Sequence, residues 1–209
     1  MTCGFDTQPS QFIAVERAHA ELGLANIEFT RLMLSDRFLR SELDERFRAL
    51  LEPLPSGVTD HFADFCCQVT MSSPEERTRV TKIMTVLINR RSILSSTDAQ
   101  LLRDVANWCG IEDMASLVRF AGLPSFDRIA VLSVASLKAF DEYAQTMLSY
   151  LLGILPSAYL QRLNYRPSAE CLPKPAYLSE EDGDRRKVVD YALEAFRRVI
   201  GEGSSNAVY

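Results

Sequence analysis

Apolar residues recur at helical spacing along the chain, and the longest such run starts at Ser125 and ends at Pro156. Steps of three or four residues place one stripe of side chains on a single helical face. The stripe consists of Ile129, Leu132, Ser136, Phe140, Tyr143, Met147 and Leu151. We therefore expect a long buried helix, ended by Gly153 and Pro156, at the centre of the fold.

Capping signals divide much of the remaining chain into further helices. Ser73 is followed by a proline at the first helical position and by Glu76, a combination that predicts a capping box. Thr97 and Gln100 predict a second capping box. Further expected boundaries are caps at Thr59 and Ser157 and helix ends at Gly23 and Gly110. Because no stretch alternates convincingly like a strand, we predict an all-α fold, a single multi-helix bundle with a long buried central helix.

Glycine and proline suggest how this bundle is organised. Two prolines and a glycine interrupt residues 52–57, which predicts an N-terminal helical hairpin over 1–56 and a main bundle over 57–209. The main bundle should end in a C-terminal helix with a loose tail from Gly201. We also expect residues 1–9 to be frayed.

Composition indicates a soluble cytoplasmic protein. The 209 residues are 47% hydrophobic and 24% charged, and the net charge of −5, with both signs mixed, argues against nucleic-acid binding. The first residues lack the basic and apolar regions of a signal peptide, so we expect none. Residues 143–161 carry no charge, but Pro156 and several polar side chains favour a core helix over a membrane span. Five cysteines without a Cys-x-x-Cys pair suggest reduced thiols.

No motif in the sequence specifies a chemistry. Neither a Gly-x-Ser-x-Gly nucleophile motif nor a phosphate-binding glycine loop occurs in a suitable context. His61, Cys66 and Cys67 form the one cluster of metal-ligand residue types, but the paired spacing of zinc sites is missing. We therefore predict no catalytic residue, no metal and no cofactor.

Two groups of residues are candidates for binding another protein. Tyr159, Arg162, Tyr165 and Arg166 share one short helix and its exit, and tyrosine and arginine are enriched at interface hot spots. The alternative is that Tyr159 and Leu163 pack inward and the arginines are solvated. The second group, Asp141 and Glu142, interrupts the long apolar run. These acids form either a partner-binding patch or a solvated strip in which Glu142 pairs with Lys138.

Two segments resemble the SctK family, cytoplasmic sorting-platform proteins of bacterial type III secretion. They are LLRDVANWCG at 101–110 and LLGILPSAYLQRL at 151–163, the latter followed by Pro167. The resemblance, which covers less than half of the chain, implies a helical, non-enzymatic adaptor. Such an adaptor would link an inner-membrane ring protein to the cytoplasmic pods of the sorting platform. It would lie in the cytoplasm, peripheral to the inner membrane through its protein partner, with no membrane insertion.

Two other functions stay open on the sequence. The first is a helical enzyme or small-ligand-binding domain whose site is made of scattered residues, prompted by Asp141 and Glu142. The second is a secretion chaperone or effector-like module, although escort chaperones are usually smaller and mix helices with strands.

Overall fold

The structure is a computed structural model that describes residues 4–94, 98–110, 126, 132, 136–167, 172–177 and 183–205. The regular elements within these residues are all helical, which confirms the all-α class. We number the α-helices α1 to α11. They are α1 Gly4–Thr7, α2 Val15–Leu22, α3 Ile27–Ser35, α4 Arg37–Leu50, α5 Asp60–Met71, α6 Pro74–Ile88, α7 Arg90–Leu94, α8 Ala99–Cys109, α9 Leu137–Ile154, α10 Ser157–Asn164 and α11 Gly183–Ser205, with a 3-10 turn at Pro9–Gln11.

Several predicted helix boundaries are confirmed. The Ser73 side chain accepts a hydrogen bond from the Glu76 backbone, and the Glu76 carboxylate accepts one from the Ser73 backbone, so both halves of the capping box form. Thr59 caps α5. Gly23 and Gly110 end α2 and α8 with positive φ angles of 59° and 68°, a conformation that glycine adopts without steric cost.

Other predicted boundaries are wrong. Asp98, not Thr97, caps α8, because its carboxylate accepts hydrogen bonds from two backbone N–H groups at the helix start. Residues 4–7 are helical with a buried Phe5, so the N-terminal residues described are not frayed. The loose tail predicted from Gly201 is wrong as far as Ser205, because α11 extends to that residue. The short helix predicted over 112–121 lies outside the described residues.

The long central helix begins later than predicted. Leu132 and Ser136 are not helical, and α9 starts at Leu137. The backbone N–H of Leu132 donates to the Asn89 side chain at 2.7 Å, and the Ser92 hydroxyl donates to the Leu132 carbonyl at 2.5 Å. These bonds replace helical ones at Leu132, and Ser136 caps α9 by accepting from the Ala139 N–H at 3.2 Å. Most of residues 125–135 lie outside the described part of the chain.

Gly153 also differs from its predicted role. It lies inside α9 with an ordinary helical φ and does not end the helix. An added Cβ at Gly153 would overlap the backbone carbonyl oxygen of Ala176, and the Ala176 N–H donates to the Ser149 carbonyl at 2.9 Å. Glycine is therefore required here because an extended segment, residues 172–177, crosses the helix at close range.

The chain divides into two compact units. Unit 1 contains residues 1–72 and 155–172, and unit 2 contains residues 73–154 and 173–209. This division differs from the one predicted at residue 56, because α5 packs against α1 and α10 and so joins the N-terminal helices.

Unit 1 is built from α1 to α5 and α10. One of its apolar clusters is formed by Ile13, Ala18, Leu43 and Phe47, with Met33 and Leu34 of α3 packed against it. Asp44, which is buried on α4, accepts a hydrogen bond from the Ser10 backbone at 2.8 Å and so fixes the 3-10 turn.

Unit 2 is organised around α6. All residues from Ile83 to Ile88 are buried, because α9 and α11 both pack against this helix. α9 buries one stripe and leaves the opposite face in solvent, so it is less completely buried than predicted. The buried residues of α9 are Phe140, Ala144, Met147, Leu151, Leu152 and Ile154.

Candidate interaction surface

The predicted binding group on α10 is divided between the interior and the surface. Tyr159 and Arg162 are only 2% and 3% exposed. The Arg162 guanidinium donates to the Asp6 carboxylate and to the carbonyls of Glu52 and Ala158. A docking partner cannot reach these two side chains without local opening, because protein atoms already surround them. Their expected place on a binding surface is therefore wrong for the folded unit.

Tyr165 and Arg166 are half-buried at the exit of α10. Arg166 Nη1 donates to the carbonyls of Thr70 and Ser72 at 2.5 and 2.9 Å, which ties the end of α5 to this exit. Burial, followed by the charge of Glu21 and a hydrogen bond to it, raises the pKa of Tyr165 above its ordinary value. Tyr165 also lines an open cleft of about 520 Å³ in unit 1, together with residues of α2 and α10. A binding role for these two residues stays a prediction.

Asp141 and Glu142 both lie on the exposed face of α9. The indole Nε1 of Trp108 donates to Asp141 Oδ1 at 3.3 Å. Glu142 lies 3.8 Å from the Lys138 ammonium, which confirms the predicted helical pair. The two acids therefore have structural contacts, and a partner-binding role for them also stays a prediction.

Trp108 is held from three sides in unit 2. Its ring packs against Phe140 with centroids 6.1 Å apart, and the Lys82 ammonium lies 5.0 Å from its ring centroid. Lys82 Nζ also donates to the Trp108 carbonyl at 3.0 Å, and Arg79 Nη2 donates to the Gly110 carbonyl at 3.0 Å. These cations stabilise the carbonyl end of α8, where the helix dipole is negative. An open cleft of about 420 Å³ lies beside them.

Among the residues that the structure describes, the largest group of exposed apolar side chains lies on α3 and α4 of unit 1. We call this group the hairpin surface, and its members are Phe29, Leu32, Phe38, Leu39 and Leu50. Phe38 is 89% exposed and Leu32 is 62% exposed. Among the described residues, only Leu137 and Tyr177 add to the set of large exposed hydrophobic side chains. The apolar exposure is thus concentrated on two consecutive helices.

The sequence predicted only an amphipathic α4 and so did not find this surface. Leu43 and Phe47 are buried as the periodicity indicates, whereas Phe38 is exposed. Phe38 precedes Leu43 by five residues, which places it roughly 140° around the helix from Leu43. This angle was available from the sequence, but spacing alone does not tell which apolar stripe faces the core.

Both signs of charge border the hairpin surface. Glu28 pairs with Arg31 at 2.7 Å, and Glu42 pairs with Arg46 at 2.9 Å. Residues 27–50 contain five arginines and five acids, so this stretch is neutral while the whole chain carries −5. The net negative charge of the protein therefore resides elsewhere.

The remaining chemistry-bearing residues do not form a site in the described part of the chain. Among those residues no group of three His, Cys, Asp or Glu side chains is placed to hold a metal ion. Cys66 and Cys109 are buried, and Cys67 is partly buried. None of the described helices is both long and apolar enough to cross a membrane.

Comparison with known protein families, with curated proteins and with solved structures finds no match to this chain. The hairpin surface must therefore be interpreted from its own physical chemistry.

Proposed function

We propose that this protein is a non-enzymatic helical adaptor that acts by binding other proteins. The observation that carries the proposal is the hairpin surface. Its five side chains expose roughly 500 Å² of apolar area, taking about 200 Å² for a whole aromatic side chain and less for leucine. The largest apolar patch on a typical soluble monomer is about 300–600 Å² and is often a functional site.

We further propose that the adaptor serves a type III secretion sorting platform. The support is the resemblance of residues 101–110 and 151–163 to the SctK family. In this chain the first segment is α8 with its Gly110 cap, and the second spans the end of α9 and α10. The partners would be an inner-membrane ring protein and a cytosolic pod protein, and the location would be cytoplasmic.

A binding experiment with purified ring and pod proteins tests this proposal. We expect both partners to be retained by the immobilised chain, and we expect the double variant Leu32→Glu with Phe38→Glu to retain at least tenfold less of one of them. Both side chains are exposed, so the variant should fold normally. Tyr177→Glu, which changes an aromatic residue that is 76% exposed in unit 2, is the matched control and should bind normally.

Failure to retain either partner would refute the secretion assignment. Retention that is unaffected by the double variant would refute the role of the hairpin surface. The enzyme alternative has no specific observation in its favour, because the two acids that prompted it, Asp141 and Glu142, contact Trp108 and Lys138.

A further inference from the structure

We propose that the hairpin surface is covered by a second copy of this chain, so that the adaptor is a homodimer. The inference rests on the proposed function in one respect, namely that the hairpin surface binds protein. It goes further by naming the occupant in the absence of a secretion partner, a second copy that a ring or pod protein would have to displace from the same side chains. Three observations support a second copy: the apolar area, the balance of charge and the arrangement of the two helices.

The apolar area matches one face of a dimer. A standard interface buries about 800 Å² on each partner, and about 57% of that area is non-polar. One face therefore needs roughly 450 Å² of apolar surface. The roughly 500 Å² exposed by the hairpin surface reaches this amount when all five of its side chains are covered.

The charge balance favours self-association at this surface over the rest of the chain. Two copies that meet through a net acidic region repel each other, because like charges facing each other are destabilising. Residues 27–50 have no net charge and carry both signs at the surface. The side chains of Arg37, Glu45 and Arg48 make no hydrogen bond or ion pair within the described residues. A two-fold related copy can offer its Glu45 to one of these two arginines.

The arrangement of the helices suits pairing about a two-fold axis. A single residue, Asp36, separates α3 from α4, and the two helices contact each other. Leu39 and Leu50 are eleven residues apart, which spreads the apolar side chains over roughly 16 Å of α4. In a two-fold pairing both copies use the same patch, so the patch must be complementary to itself in shape and charge. Two copies of a helix pair form four packed helices, a common architecture.

Sedimentation equilibrium of the purified full-length chain tests the inference without any partner protein. We expect the mass to rise with concentration toward twice the 23.5 kDa of one chain. The double variant Leu32→Glu with Phe38→Glu should raise the dimer dissociation constant at least a hundredfold, because it brings four carboxylates into an apolar interface. Its circular dichroism spectrum should be unchanged.

Tyr177→Glu is the matched control and should leave the dissociation constant within about twofold of the unaltered chain, because its substitution lies outside the hairpin surface. The inference is overturned if the unaltered chain stays monomeric at its solubility limit. It is also overturned if the double variant dimerises as well as the unaltered chain, since the copies would then meet elsewhere.

The two proposals can fail separately. A monomeric chain that retains a ring or pod protein, and loses it in the double variant, would overturn the homodimer and leave the adaptor function. A dimer that is broken by the double variant but binds neither secretion partner would support the homodimer and overturn the secretion assignment.

Discussion

Replacing Arg162 by methionine should destabilise unit 1 strongly. The guanidinium is 3% exposed, and it donates through Nε at 2.7 Å to Asp6 and through Nη1 at 3.0 and 2.7 Å to the carbonyls of Glu52 and Ala158. Methionine has a similar length but no donor. The substitution leaves the Asp6 carboxylate, which is 20% exposed, without its cation and both carbonyls without one of their donors.

Removing one partner of a buried ion pair costs about 3–5 kcal/mol, because the remaining charge stays buried without compensation. We therefore expect Arg162→Met to lower the unfolding free energy of unit 1 by about that amount. Asp6→Asn should cost a similar amount, about 3–5 kcal/mol, because it leaves the more deeply buried Arg162 charge without its counter-ion. The double variant should be more stable than the sum of the two losses predicts, by about 1–2 kcal/mol.

Urea unfolding followed by far-ultraviolet circular dichroism measures these differences for the four proteins of the cycle. Arg48→Met is the matched control, because Arg48 is exposed and makes no ion pair or hydrogen bond within the described residues. It should change the unfolding free energy by less than about 0.5 kcal/mol. The reasoning is wrong if Arg162→Met costs no more than Arg48→Met, or if the losses in the cycle are simply additive.

Three further substitutions test unit 2 by denaturant or alkaline titration. Gly153→Ala should cost about 1–3 kcal/mol, because its methyl group would overlap the Ala176 carbonyl. Ser73→Ala removes the cap of α6 and should cost about 1 kcal/mol. Burial, followed by the charges of nearby Tyr150, Tyr191 and Asp184, raises the pKa of Tyr143 well above its ordinary value of 10. Stability should therefore be intact below pH 10 and fall at higher pH, because the unfolded chain loses this phenolic proton first. Tyr143→Phe should weaken that fall and change stability little at neutral pH, since no hydrogen-bond partner of its hydroxyl is found in the described structure.

For each of these three substitutions, one experimental result would contradict the prediction. Gln145→Ala is an exposed substitution on the same helix. If the Gly153→Ala variant is as stable as this one, residues 172–177 can move away from the helix at little cost. An unaltered stability of Ser73→Ala would mean that the cap contributes nothing. An alkaline transition that is identical in Tyr143→Phe would assign the pH dependence to other groups.

The sequence predicts local features of this fold well. The capping box at Ser73 needs only the next three residues, and Gly23 and Gly110 end helices through their own backbone freedom. The cap at Asp98 shows the limit of the method. Thr97 matched the capping-box pattern, but the carboxylate one residue later accepts two backbone hydrogen bonds and forms the cap.

Features that depend on distant contacts could not be predicted from local patterns. The apolar periodicity continues through Leu132, but Asn89 and Ser92, about forty residues earlier, bind its backbone. Arg162 looks like a surface residue on a short helix, and its burial depends on Asp6 at the other end of the chain. The hairpin surface could not be predicted for the same reason. The sequence shows that Phe38 is apolar, but not whether another element covers it.

The position of Trp108 gives the protein a built-in spectroscopic probe. It is the only tryptophan, it belongs to unit 2, and its indole contacts Phe140, Lys82 and Asp141. Indole emission must therefore follow the melting of unit 2 alone, whereas circular dichroism follows helices from both units. A difference between the two melting midpoints would measure how independently the two units unfold, without a label or an engineered residue.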